Sequence, residues 1–253
     1  MLATAKNITI FAPSNEAFSK LKISTPSIAD SARNPAIITA LLQYHVLSSK
    51  VMASGFTGSP RFAATMLAGA PSANVTGGQK VELVLEGGRA TVTSGFKQAA
   101  VVTKADLVFD GGVLHIVDTV LTVPASPVVT ALDTGLTSLA GALTRAKLVD
   151  AVNALMDATI FAPNNAAFQA VGSVVGLATS DPLAKVLEYH VLVNQVKFST
   201  DLAMSGMSSM TFTTLLGEKI TVRVEKGKIF VNSARVIIAD IITSNGVMHV
   251  IDK

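Results

Sequence analysis

Histidine is the only side chain here whose ordinary pKa falls near neutral pH, and the four in this chain stand in matched pairs. His45 and His190 each follow a tyrosine, as Tyr44-His45-Val-Leu and Tyr189-His190-Val-Leu. His115 and His249 stand in GVLHIVD and GVMHVID, residues 112–118 and 246–252. An imidazole can serve as a base, ligate a metal, or join two elements through both ring nitrogens. Metal sites usually want three or four protein ligands. Each set offers two histidines without an acidic cluster, and the chain has no cysteine, so no metal and no cofactor are expected. Catalysis finds little support either. There is no phosphate-cradling loop and no metalloprotease helix motif, and residues 172–176 (GSVVG) lack the spacing and setting of a serine elbow. The chain reads as not an enzyme. The histidines read instead as buried bolts: His45 and His190 on apolar helix stripes, His115 and His249 on a strand face with Val113 and Val117, or Val247 and Ile251.

Two acidic positions are the sharper binding candidates. Asp240 precedes Ile241, and Asp106 precedes Leu107. Each is either a solvated carboxylate at a turn or an exposed acid that meets a receptor beside an apolar neighbour. Met204, Met207 and Met210, with Phe198 and Phe212, would alternatively suit an adaptable apolar surface. They keep open a second reading, a carrier of an apolar, carotenoid- or lipid-like molecule.

The elements that must position these residues come twice. Residues 9–18 (TIFAPSNEAF) return as 159–168 (TIFAPNNAAF), ahead of the Tyr-His pairs and the closing Gly-Val-x-His blocks in the same order. So long a period marks a duplicated domain rather than a solenoid. The boundaries are set at 1–123 and 124–253, joined by a short proline-stiffened stretch at 123–127. Each first block reads as a buried strand halted by Pro13 or Pro163, then Ser14 or Asn164 as N-cap. Asn15 and Asn165 are ascribed to local backbone hydrogen bonding. A second helix opens at Asn34-Pro35 or Asp181-Pro182; Leu183, Val186, Leu187 and His190 form its core-facing stripe. Alternating strands follow, punctuated by Gly87-Gly88, Gly227 and Asn245-Gly246, and turn length makes them antiparallel. Helices first and strands after give an α+β module.

The second copy has an extra helical region ahead of its first block, with Leu132, Leu136, Leu139 and Leu143 on one face and Leu148, Val152 and Leu155 repeating the spacing. The first copy has eight residues ahead of Thr9. It is therefore expected to lack the leading helices, to be the less stable module, and to belong to a trimmed chain. No leader peptide is visible at Met1 and no apolar anchor at Lys253.

Composition excludes other classes. The chain is 49% hydrophobic and 15% charged with a net charge of +3, and no stretch reads as a spanning helix. Its basic residues are scattered, and there is no Trp to interleave with them, so a nucleic-acid surface is not expected. Asn7 and Asn74 open glycosylation sequons, the first crowded by its strand.

The repeated blocks resemble the fasciclin domain, an extracellular adhesion module. Thr9, Phe11, Pro13, Asn15 and Phe18, matched by Thr159, Phe161, Pro163, Asn165 and Phe168, carry its first motif. The Tyr-His pairs carry its middle motif, and His115 and His249 its last. The resemblance implies a wedge of two β-sheets flanked by helices. It also implies a secreted or lipid-anchored cell-surface glycoprotein that organises matrix or cell wall through a receptor or an extracellular polymer. In animal relatives an Asp-Ile pair and the Tyr-His region are credited with integrin contacts. Asp240 and Ile241 match that pair, Asp106 and Leu107 match it less well, and Tyr44, His45, Tyr189 and His190 match the other region.

Overall fold

The computed structural model describes residues 5–20, 34–172, 180–203 and 209–253. The chain divides into two compact units, Met1–Pro124 and Ala125–Lys253.

Unit 1 begins with β1 (Ile8–Pro13), α1 (Asn15–Lys20), α2 (Pro35–Tyr44) and β2 (Val46–Leu47). It continues with β3 (Arg61–Ala64), β4 (Lys80–Glu86), β5 (Arg89–Thr93), β6 (Ala99–Phe109) and β7 (Gly112–Val117). One seven-stranded sheet runs β2-β1-β7-β6-β5-β4-β3. Ser14 Oγ accepts Ala17 N at 3.1 Å and Asn34 Oδ1 accepts Ala36 N at 3.0 Å. Both caps therefore satisfy helix amides that have no partner within the helix.

Unit 2 opens with three helices, α3 (Pro127–Asp133), α4 (Thr137–Arg145) and α5 (Val149–Ala154). Then come β8 (Ala158–Pro163), α6 (Asn165–Ala170), α7 (Ser180–Tyr189), β9 (Val191–Leu192) and α8 (Ser199–Ala203). Strands β10 (Ser209–Thr213), β11 (Lys219–Glu225), β12 (Lys228–Val231), β13 (Ala234–Thr243) and β14 (Gly246–Ile251) complete it. Their order, β10-β11-β12-β13-β14-β8-β9, repeats that of unit 1. Two tandem α+β modules of one architecture result. The two halves of each wedge share its longest strand. In unit 1, β6 pairs with β5 through residues 99–101 and with β7 through residues 102–109, across two register shifts.

Not every ladder is antiparallel. β1 runs parallel to β7, with Thr9 opposite Val113 and Phe11 opposite His115; β8 runs parallel to β14 in the same register. Turn length constrains only strands that follow one another, and these pairs join the start of each repeat to its end. The parallel pairing explains Gly112 and Gly246. A Cβ at Gly112 would lie 1.9 Å from the Ile8 carbonyl oxygen, and one at Gly246 1.8 Å from that of Ala158.

The leucine stripe of the leading region also differs from expectation. It is split between α3 and α4 because Gly135 takes φ +79° and ends the first helix. Leu136, Leu139 and Leu143 are buried, whereas Leu132 is exposed. On α7, Leu183 and Leu187 face the core but Val186 is exposed, so the buried stripe is narrower than the spacing predicts. His45 and His190 follow the last residues of α2 and α7 rather than lying within them.

The leading helices decide what their neighbours bury. Leu183 and Leu187 pack into one cluster with residues of α3, α4 and α5 and are 2% and 4% exposed. Ile38 and Leu42 occupy the same places on α2 and are 39% and 60% exposed; no helix precedes β1 among the described residues. Leu187→Ala should therefore cost about 2–5 kcal/mol, while Leu42→Ala should stay within about 0.5 kcal/mol. Native-state hydrogen exchange checks this: the first substitution speeds exchange across α7 and β9, and the second leaves α2 as it was.

Candidate functional site

The motif residues converge on one arrangement, present in both units. In unit 1 the Thr9 hydroxyl, fully buried on β1, donates to the Ser49 carbonyl at 2.8 Å and accepts Val51 N at 2.8 Å. On β7, His115 Nε2 lies 2.8 Å from the Val51 carbonyl, and Asp106 N donates to Nδ1 at 3.1 Å. An N–H aimed at Nδ1 requires a lone pair there, so the proton sits on Nε2 and donates to Val51. Asp106 Oδ1 accepts Ala53 N at 2.8 Å. Thr9, His115 and Asp106 thus grip residues 49–53 between them.

Unit 2 repeats the grip. Thr159 Oγ1 donates to the Gln195 carbonyl at 2.8 Å and accepts Lys197 N at 2.9 Å. His249 Nε2 donates to the Lys197 carbonyl at 2.8 Å, and its Nδ1 accepts Asp240 N at 3.2 Å. Asp240 accepts both Ser199 N, at 2.7 Å, and the Ser199 hydroxyl. Each imidazole also stacks on the phenylalanine opposite it in the parallel ladder, Phe11 at 5.7 Å and Phe161 at 5.8 Å.

The aspartates owe their positions to backbone shape. Asp106 and Asp240 have φ of +58° and +61°, a region that Asp tolerates better than most residues. Both lie where β6 and β13 slip register against their partners. The bulge turns the acid and its amide toward the gripped loop.

The Tyr-His pairs form a second joint. His45 Nδ1–H donates to the Leu41 carbonyl at 2.8 Å and Nε2 accepts Leu121 N at 3.0 Å. The buried Tyr44 hydroxyl donates to the Lys80 carbonyl at 2.9 Å. In unit 2, His190 Nδ1–H donates to Val186 at 2.7 Å and Tyr189 to Lys219 at 3.2 Å; both side chains are half-buried. Burial holds both imidazoles below their ordinary pKa, against the raising effect of the carbonyls of Leu41 and Val186. Desolvation pushes the Tyr44 phenol well above its usual value.

Serine, histidine and aspartate therefore meet in unit 2 without the geometry of a catalytic triad. There the histidine would take the nucleophile's proton on Nε2 and donate from Nδ1 to the carboxylate. Here Nε2 carries the proton, Nδ1 accepts from a backbone amide, and Ser199 donates to Asp240. No group of three or more metal-type side chains occurs among the described residues.

The Asp-Ile expectation changes with the burial. Asp240 is 3% and Ile241 1% exposed, so the pair is neither a solvated turn nor an exposed contact. The bulge points the acid inward to unpaired loop amides. Asp106 keeps its side chain 36% exposed, with Leu107 half-buried. Asn165 does more than bond locally: it accepts Ser138 N at 3.0 Å and donates to the Gly135 carbonyl at 2.8 Å, tying β8's exit to the α3–α4 turn. Asn15 and Phe18 are exposed, whereas Pro163 is buried and Pro13 and Phe168 half-buried. Asn7 is exposed, but the Thr9 hydroxyl of its sequon is spent inside; Asn74 is half-buried. Phe198 is buried and Met210 and Phe212 pack against unit 2's sheet-side cluster. Met204, Met207 and residues 173–176 lie outside the described residues.

The hydroxyl grip of Thr9 and Thr159 and the loop amides they hold were not legible beforehand. The signal available was numerical: Asp106 to His115 and Asp240 to His249 share one spacing of nine. Asp118 Oδ1 accepting Val101 N at 2.8 Å and Asp252 Oδ1 accepting Arg235 N at 2.8 Å share another.

With this geometry in hand, the chain can be set beside known proteins. The fasciclin domain matches residues 1–124 and 134–253. A fasciclin-like arabinogalactan protein of Arthroderma benhamiae is 30% identical over 99% of this chain and 59% of its own length. Another, of Phaeosphaeria nodorum, is 32% identical over 99% of this chain and 78% of its own. The transforming growth factor-beta-induced protein ig-h3 of Sus scrofa is 32% identical over 56% of this chain and 21% of its own. A solved FAS1 domain pair from the insect cell adhesion molecule fasciclin I covers 99% of this chain and 89% of its own, at 20% identity and a TM-score of 0.49.

Two predictions follow from the grip and the joint. Thr159→Val keeps the volume but orphans Lys197 N, so it should cost roughly 1–3 kcal/mol, whereas Thr211→Val on an exposed strand position should change stability by less than about 0.5 kcal/mol. Chemical denaturation compares the two. The histidines at the joint set a pH dependence. Their folded pKa lies below 6.5, so on acidification the unfolded chain binds protons first. Stability should be flat above about pH 6.5 and fall as pH drops toward the folded value. His45→Asn, weaker at pH 7.5, should show a shallower fall between pH 6.5 and 5 when melting is followed against pH.

Proposed function

The chain belongs to the fasciclin domain family, and from that premise we propose that it is a noncatalytic adhesion or cell-wall-organising protein working outside the cell or on its surface. The observation that carries this reading is the inward commitment of the motif chemistry. The Thr-His-Asp grip spends its polar groups on loop backbone, with Asp106 keeping part of its carboxylate at the surface, so it builds a rigid scaffold and leaves recognition to the outer surface. The names of the fungal and animal relatives support the setting. No helix among the described residues is long and apolar enough to cross a membrane. Glycosylation at Asn7 or Asn74 belongs to the same reading.

The partner is a receptor or an extracellular or wall polymer. Of the two acid–aliphatic pairs, Asp106 and Leu107 are the accessible one, and we assign the contact there, with Asp240 and Ile241 as its buried structural counterpart. A carrier of apolar molecules fits less well. Four grooves lined by described residues of unit 2 enclose about 20 to 270 Å³, below the roughly 300–1,000 Å³ of ordinary ligand pockets.

Beads coated with the chain should bind cells or wall polymer. Asp106→Asn, which keeps the Oδ1 acceptor for Ala53 N and tolerates the positive φ, should cut attachment severalfold while circular dichroism stays unchanged. Undiminished attachment by Asp106→Asn would remove that pair as the contact. No attachment by the unaltered chain, with a lipid or pigment in native mass spectra, would replace adhesion by the carrier reading.

A further inference from the structure

The turns that lead into β7 and β14 differ in one residue. Unit 1 has Gly111-Gly112 there and unit 2 has Asn245-Gly246. Asn245 is the one asparagine of the chain that is followed by glycine. Asparagine is a thermolabile residue, and a following glycine has no side chain to keep its amide nitrogen away from the carboxamide. The fold nevertheless demands both residues. A Cβ at Gly246 would lie 1.8 Å from the Ala158 carbonyl oxygen. Asn245 Nδ2 donates to the Val152 carbonyl at 2.9 Å, a carbonyl in the last turn of α5 that has no partner within the helix.

In the folded unit the dipeptide is held apart from its own chemistry. Asn245 is fully buried, and its Oδ1 accepts the Thr243 hydroxyl at 3.1 Å. The backbone is fixed as well. Ser244 N donates to the Ala125 carbonyl at 2.7 Å and Ala158 N to the Asn245 carbonyl at 2.8 Å, while Gly246 stands opposite Thr243 in the β13–β14 ladder. The carboxamide is thus tied to α5 and the glycine to the sheet.

We propose that Asn245-Gly246 is a covalent modification site that becomes reactive only when unit 2 opens, and so records its unfolding. In the opened chain Gly246 N bonds to Asn245 Cγ, and the Cγ–Nδ2 bond breaks. The proton lost by the glycine nitrogen leaves with the amide group as ammonia. Water then adds to one carbonyl of the succinimide ring and opens it to aspartate or isoaspartate. Neither product restores the joint. A carboxylate has no N–H for the Val152 carbonyl, and it places a charge where the structure has a neutral amide. Isoaspartate also adds one atom to the main chain of the turn. Helix α5 therefore loses its tie to the sheet after the unit closes again. Unit 1, with Gly111 at this place, takes no such mark.

The test follows the unaltered full chain in mildly alkaline buffer, folded or in urea, with mass mapping of every asparagine-containing peptide. Residue 245 should convert roughly a hundredfold faster in urea, because a buried turn reacts only from its opened state, and ahead of every other asparagine. Equal rates in the two states, or earlier conversion of another asparagine in urea, overturns the proposal. Refolded after conversion, the chain should exchange the amide hydrogens of α5 and of the turn about tenfold faster than a chain unfolded briefly and refolded unconverted. Asn245→Asp should match the converted chain or fail to refold, and either result supports the mark. Asn245→Asp with α5 as protected as in the unaltered chain overturns it.

Discussion

Each unit hangs on an imidazole that cannot be solvated and therefore must place both nitrogens. His115 and His249 are fully buried, where an unpaired polar atom would cost about 1–3 kcal/mol. That demand can be met only if a bulge amide stands on one side of the ring and a loop carbonyl on the other. The parallel pairing of the first and last strands supplies the stacked phenylalanine and brings the threonine hydroxyl to the same loop. Among the described residues no buried side-chain nitrogen or oxygen is left without a partner.

The grip is repeated almost atom for atom, while the cover around it is not. Unit 2 carries α3, α4 and α5 over its second helix, and no helix precedes β1 among the described residues of unit 1. The shared part is the part that satisfies buried polar groups, where a half-made network is costly. The differing part is apolar packing, which tolerates loss at a graded price.

Much of the architecture was legible in the residues because local chemistry dictates it: Ser14 and Asn164 as caps, Gly87-Gly88 and Lys226-Gly227 as turns, and alternation at residues 80–86 and 219–225. The duplicated blocks gave the module and its family. What could not be read was long-range. Nothing local tells β1 to run parallel to β7, since those strands lie a whole domain apart in sequence. Asp240 read as a turn residue because its bulge exists only against β14, so its burial was invisible and its role was misplaced. Gly135 ends a helix although the leucine spacing continues across it.

The most direct measurement is the tautomer of the four imidazoles, read from long-range proton–nitrogen correlation spectra at pH 7.5. The structure requires His115 and His249 to carry the proton on Nε2, and His45 and His190 on Nδ1. Two rings of each kind, with Thr9→Val perturbing His115 and Thr159→Val perturbing His249, would match this account. An Nδ1–H tautomer or a solvent-averaged signal at His115 or His249 would contradict it, because the bulge amide could then no longer donate to the ring.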